Sequence, residues 1–108
     1  MPEAPLTHVP VAVGLAYIER IQRLPSRFTA TLVVEPDNRF SRAAVAVHAN
    51  GEKVGYLPPE ISRHYFEPVR TAGAPVECPA RRAPVSERED TGVELLLDFS
   101  ALAVAPAD

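Results

Sequence analysis

The sequence predicts a small β-barrel of the mainly β (α+β) class, with about six strands and one or two short helices. Three observations carry that expectation. Short apolar runs with a period of two recur along the chain, separated by turn residues. An Asn-Gly pair, Asn50-Gly51, sits between two strand-like runs, which is the strongest short-range hairpin signal. A single segment, opened by a diproline, carries clear helical spacing. At 108 residues the chain can bury one core and forms one domain, expected over residues 10–100, with residues 1–9 and 101–108 as flexible ends. Small mixed sheets of this kind curl, which removes exposed edges.

VAVGLAYI, residues 11–18, reads as a mainly apolar strand through Leu15. AYIERIQRL then places Tyr17, Ile18, Ile21 and Leu24 near helical spacing, an irregular or one-turn helical connection that ends at Pro25. Phe28, Ala30, Leu32 and Val34 alternate with Arg27, Thr29, Thr31 and Val33, a strand with one buried face. EPDNRFSR, residues 35–42, is a loop, because Pro, Asp, Asn and Ser favour turns. AAVAVHA and KVGYL are the two arms of the Asn50-Gly51 hairpin, with Gly55 permitting a bulge or a close backbone approach. Pro58-Pro59-Glu60 stops the second arm and starts a helix whose inner face is Ile61, Tyr65, Phe66 and Val69. Pro68 is expected to break or kink that helix and Gly73 to end it. APVECPA reads as a further strand, ARRAPVSEREDTG as a polar loop, and GVELLLDFSAL as a closing strand with Val93, Leu95 and Leu97 on one face and Leu96 on the other.

The net charge of −3 argues against binding by bulk phosphate attraction. Charge is unevenly spread: residues 1–82 hold ten Lys/Arg and eight Asp/Glu, and residues 83–108 one Arg and six Asp/Glu. A basic face on the first part is compatible with these counts. The lone cysteine, Cys78, forms no internal disulfide and suits a reducing compartment. No apolar run is long enough for a membrane span, and the N-terminus lacks the pattern of a signal peptide, so the expected location is cytoplasmic.

Catalytic and metal-binding patterns are missing from the sequence. His8, His48, His64 and Cys78 are scattered without metal-ligand spacing, and no Gly-rich phosphate loop is present. Cys78, between Glu77 and Pro79, reads as an inert strand residue, and Glu89-Asp90 as solvated charge. No cofactor and no enzymatic activity are expected.

EPDNRFSRAAVAV followed by GEKVGYLPPEIS resembles the signature of the HIRAN domain family, roughly E/D-P-x-N-x-Y-D-x-N-A-[IV]-x-V and then an apolar Gly-Tyr/His-[LV] strand and a helix. The matching positions are Glu35, Pro36, Asn38, Phe40, Ala44, Val45 and Val47, then Gly55, Tyr56, Leu57 and Pro58. VGLAYI, residues 13–18, is similar to the family's first strand, and the likeness covers residues 10–75 well and thins out toward residue 100. The resemblance implies an OB/SH3-like barrel, found at the N-terminus of fork-remodelling helicases and as a free-standing bacterial protein. It also implies binding of single-stranded DNA at a 3′-hydroxyl end, in DNA repair or replication-fork processing, with a helicase, nuclease or other DNA-processing protein as partner.

On that resemblance Tyr17 stacks on the terminal nucleotide, Asn38 holds the loop and meets sugar or base, Phe40 supplies a second stacking face, and Tyr56 stands at the pocket mouth. Ser41 occupies the place of the carboxylate that receives the 3′-hydroxyl; it accepts a hydrogen bond, but a weaker one than a carboxylate accepts. Ala43 replaces the second Asn of the motif, and Ala16 an Arg that precedes the first-strand aromatic. Arg39, Arg42 and Arg63 are candidates for phosphate contacts on charge and proximity in sequence. Every motif residue also has a structural reading: Pro36 and Asn38 as turn builders, Phe40 as a core plug, Tyr17 and Tyr56 as half-buried barrel residues, and the arginines as solvated charge. Two functions therefore compete. One is a non-catalytic module for single-stranded DNA, which calls for a positive groove beside Tyr17 and Phe40. The other is a protein-interaction or structural domain that keeps the barrel but has lost the 3′-hydroxyl pocket; an interaction protein calls for an exposed apolar patch or strand edge.

Overall fold

The strictest alternation in the sequence gives the strand on which the sheet is organised. The structure of the chain, a computed structural model, describes residues 8–11, 17–84, 93–100 and 102–107. In it β2 (Arg27–Glu35) turns Phe28, Ala30, Leu32 and Val34 toward the core and Arg27, Thr29, Thr31, Val33 and Glu35 to the opposite face. β3 (Ala44–Ala49) pairs antiparallel with β2, with Leu32 opposite Val47 and Glu35 opposite Ala44. Asn50 (φ 54°) and Gly51 (φ 79°) then make the left-handed two-residue turn that leads into β4 (Glu52–Tyr56).

The β3–β4 ladder contains one irregularity. Val47 stands opposite Gly55 and His48 opposite Lys53, so Val54 is the extra residue of a bulge. Lys53 and Tyr56 are three residues apart, and a regular strand would put them on opposite faces. The bulge brings both to the face that carries His48 and Ala46, their cross-strand partners.

The sheet is completed by β5 (Val76–Pro84) and β6 (Val93–Asp98), antiparallel to each other. Its edge strand β1 (His8–Pro10) lies against β6. The six strands form one antiparallel sheet in the order β1-β6-β5-β2-β3-β4. This matches the mainly β architecture and strand count read from the sequence. The sheet curls into a half-barrel, and its ends β1 and β4 do not pair. α1 (Ile18–Gln22) contacts both β4 and β6 and so bridges the open side, with Ile21 buried. α2 (Pro59–Arg70) packs on β2 and β3. Ile21, Val45, Val47, Val54, Leu95 and Leu97 form the centre of the core, while Leu96 is half-buried on the outer face.

Several elements depart from the sequence expectations. His8 and Val9, placed in a flexible N-terminal end, belong to β1, because Val9 is buried in the core; residues 1–7 lie outside the described residues. Of the strand expected from Val11 through Leu15 only Val11 is described; it lies just past the end of β1, and its N–H donates to the Leu95 carbonyl (3.0 Å), while residues 12–16 lie outside the described residues. β5 runs to Pro84 rather than ending at residue 80, because Arg81 and Arg82 pair with Leu96 and Leu95. Its two described prolines are tolerated because Pro79 is paired only with β2 and Pro84 only with β6. The polar loop expected beyond it falls at residues 85–92, outside the described residues.

α2 does not break at Pro68. Proline cannot donate to the carbonyl four residues back, which here is His64. That carbonyl instead accepts the Ala107 N–H (2.7 Å), and the His64 ring Nδ1 donates back to the Ala107 carbonyl (2.9 Å). Leu102 and Val104 pack against the core, so residues 102–107 of the expected flexible tail are docked on the domain. Among the described residues no helix is long and apolar enough to cross a membrane.

Candidate functional site

A cleft of about 760 Å³ opens between the loop after β2, the first turn of α2 and Tyr17 ahead of α1. The loop is built by one side chain. The Asn38 backbone N–H donates to the Glu35 carbonyl (3.1 Å), closing a turn. Asn38 Oδ1 accepts the backbone N–H groups of Phe40 (2.8 Å) and Ser41 (3.1 Å), and Ser41 Oγ accepts that of Ala43 (3.2 Å). Phe40 is thereby held outward at the loop tip, 94% exposed, and the core-plug reading is excluded.

The loop is tied to α2 through Ser62, the helix's buried polar residue. Ser62 Oγ accepts the Val45 N–H (2.9 Å) and donates to the Ala43 carbonyl. Beneath the cleft lies a charged network on the outer face of the sheet. Glu35 Oε1 accepts from Tyr56 Oη (2.8 Å) and Asn38 Nδ2 (3.1 Å), and Glu35 Oε2 is ion-paired with Lys53. Lys53 Nζ also donates to Tyr56 Oη (2.8 Å).

Burial alone would raise the Glu35 pKa, but the hydrogen bonds from Lys53, Asn38 and Tyr56 outweigh it and hold the carboxyl below its ordinary value. The same bond to Glu35 raises Lys53, with Tyr56 adding to it. His48, opposite Lys53 on this face, is lowered by burial and then by the Lys53 charge, with Glu35 opposing. Arg20 closes the network from α1: its Nη1 donates to the Lys53 carbonyl (2.8 Å), and its guanidinium lies 5.4 Å from the centre of the Tyr17 ring.

All five residues proposed for stacking or the pocket, Tyr17, Asn38, Phe40, Ser41 and Tyr56, line this cleft. Of the proposed phosphate contacts Arg39 lines it; Arg42 and Arg63 are exposed and outside the lining. Asn38 and Tyr56 have their polar groups engaged within the protein, so Asn38 is a scaffold and Tyr56 offers only its ring.

Sequence reasoning missed Asp37, Lys53 and Ser62. Asp37 lines the cleft, is exposed, and has no hydrogen bond or ion pair among the described residues. Its signal was its place beside Asn38 in a turn that aims adjacent side chains at one space. Lys53 was hidden by the bulge. Ser62 was hidden because a helical Ser normally faces solvent.

The lining is mainly apolar; among the described residues Arg39 is its only cation, and Asp37 and Glu35 are its acids. Cys78 lies elsewhere, buried in β5, with its thiol pushed up to about 11 by burial and then by the Asp98 charge, and so is a poor nucleophile. Among the described residues no group of three His, Cys, Asp or Glu could hold a metal ion. No family model, curated protein or solved structure matches this chain.

Proposed function

We propose that this chain is a non-catalytic module that binds single-stranded DNA at an exposed end, in the cleft between the Asn38 loop and Tyr17. The observation that carries this reading is the convergence of Tyr17, Phe40 and Tyr56, from three distant parts of the sequence, on one cleft whose loop holds Phe40 almost fully in solvent. Aromatic faces accept any base by stacking, each worth about 1–3 kcal/mol. Asp37 offers a free carboxylate to a sugar hydroxyl, and Ser41 retains its O–H as a donor. Asp37 thus supplies a charged acceptor where Ser41 offers only a neutral hydroxyl. Arg39 meets the terminal phosphates, and Arg42, exposed outside the lining, meets the strand only beyond the cleft. Arg63 is reached only by a strand that leaves over α2.

The resemblance to HIRAN domains supports the same reading and assigns the module to DNA repair or fork processing, beside a helicase or nuclease. The free, buried Cys78 suits a reducing compartment such as the cytoplasm.

Fluorescence anisotropy with oligonucleotides carrying a free or a blocked 3′-hydroxyl tests the reading at two salt concentrations. Tighter binding of the free end is expected. With one or two phosphates neutralised, affinity should fall only about 3- to 7-fold between about 50 and 200 mM salt, since each contributes a slope of about −0.7. Equal binding of both oligonucleotides removes end recognition, and no binding removes the function.

The apolar lining, with a single cation among the described residues, favours a second reading, a protein-interaction site anchored by Phe40. Failure of every oligonucleotide, combined with a Phe40-dependent protein complex, would establish that alternative.

A further inference from the structure

We propose that Arg27 and Arg81 form a second anion subsite, which holds a backbone phosphate of the bound strand several nucleotides inward from its end; this rests on the nucleic-acid reading of the Asn38 cleft. The two arginines stand directly opposite each other across the β2–β5 ladder. Like charges in that position repel and weaken a sheet, so the pair needs a compensating reason. Both side chains are exposed, and neither has a hydrogen bond or ion pair among the described residues. They line a separate cavity of about 280 Å³ together with Phe28, Pro79, Leu96 and Asp98. Asp98 is occupied, with Oδ1 accepting the Ser100 N–H (2.9 Å), and the described lining keeps an excess of one positive charge. Two guanidinium forks converging on one space match the oxygens of a phosphodiester.

Position links this cavity to the cleft. Arg27 and Glu35 lie on the same outer face of β2, eight residues apart, which at about 3.3 Å per residue is roughly 26 Å. The uncharged Thr29, Thr31 and Val33 lie between them on that face, whereas Glu77 of β5 stands opposite Thr31 and marks the side a polyanion avoids. At the stacked spacing of about 3.4 Å per nucleotide that span is about eight nucleotides, and fewer in an extended strand. A strand of about three nucleotides fills the cleft and cannot reach the arginines; one of about twelve reaches both.

The test compares these two lengths by anisotropy in the wild-type chain, in Arg27→Ala/Arg81→Ala and in the charge-retaining Arg27→Lys/Arg81→Lys, each checked for an unchanged or higher melting temperature. The longer strand should bind wild type about tenfold tighter than the shorter, as expected for one charge-assisted clamp. Its salt slope should be steeper by about 0.7. The alanine pair should erase both differences and leave the short strand unaffected, while the lysine pair keeps the slope and loses affinity. If the alanine pair leaves the long strand unchanged while the short strand binds, the subsite is refuted and the cleft reading survives. Long-strand binding lost in the alanine pair, with no short-strand binding at all, supports the subsite and removes the end pocket. If neither length binds, both proposals fall. Binding of inorganic phosphate at the pair with no oligonucleotide response also overturns the assignment to a strand.

Discussion

Asn38→Asp separates the scaffold role of this residue from any role in recognition. The substitution is nearly isosteric and keeps an oxygen for the N–H groups of Phe40 and Ser41. It removes the Nδ2 donor that lies 3.1 Å from Glu35 Oε1 and puts a second carboxylate there. Losing a hydrogen bond to a charged group costs about 1.5–3 kcal/mol. Two carboxylates at about 4 Å repel by about 4 kcal/mol at an effective dielectric of about 20, and Lys53 beside them together with partial exposure screens more than half of that. The net loss at pH 7 is therefore about 2–4 kcal/mol, which lowers a urea midpoint by about 1–2 M.

The pH dependence follows from the sign of the shift. In the wild type the folded-state pKa of Glu35 lies below its ordinary value, so its stabilisation is present above that value and is lost as pH falls through the folded pKa. The added carboxylate pushes the folded-state pair the other way, and its penalty is largest when both are ionised. The difference between the two proteins should shrink on acidification below about pH 4.5. Urea denaturation at neutral and acid pH measures it. Equal midpoints at pH 7, or a gap that widens in acid, would refute the network as the support of the loop.

Three further outcomes follow from the same geometry. Phe40→Ala should leave stability within about 0.5 kcal/mol of wild type, because the ring is 94% exposed, yet weaken oligonucleotide binding about 5- to 150-fold in anisotropy titrations. Ser62→Ala strips the Val45 N–H of its acceptor and the Ala43 carbonyl of its donor, and should cost about 1–3 kcal/mol in chemical denaturation. His48, its pKa lowered by burial and the Lys53 charge, takes up a proton less readily in the fold than in the unfolded chain, so stability falls as pH drops below about 6.5 and goes on falling until the folded-state pKa is passed. His48→Gln should flatten that part of the stability profile; an unchanged profile would place the acid sensitivity elsewhere.

What the sequence discloses is what a local pattern can encode. β2 and β6 were legible because burial of one face imposes a period of two, and the β3–β4 hairpin because Asn50 and Gly51 adopt the left-handed turn. The extension of β5 was not, since Arg81 and Arg82 are in the strand through backbone pairing with β6 rather than through burial. The continuity of α2 through Pro68 was hidden for a related reason: the freed His64 carbonyl finds its donor at Ala107, a contact between residues 43 apart. At the site, the motif singled out Asn38, Phe40 and Tyr56. It concealed Lys53, whose face is set by the bulge at Val54 rather than by any residue's own preference.

The distribution of satisfied and unsatisfied groups then limits what a ligand can meet. Asn38 spends Oδ1 on two backbone N–H groups and Nδ2 on Glu35, and Tyr56 Oη lies between Lys53 and Glu35, so neither can read a base by hydrogen bonding without dismantling the loop. The groups left over are ring faces, the Ser41 hydroxyl proton, the Asp37 carboxylate and the Arg39 guanidinium. Rings stack without regard to base identity, and a lone carboxylate beside a lone cation contributes little long-range field. A strand held by these groups is gripped at its end with little sequence preference and a shallow salt dependence. Any steeper dependence must come from outside the cleft, and the outer face of β2 offers Arg27, opposite Arg81, as a source.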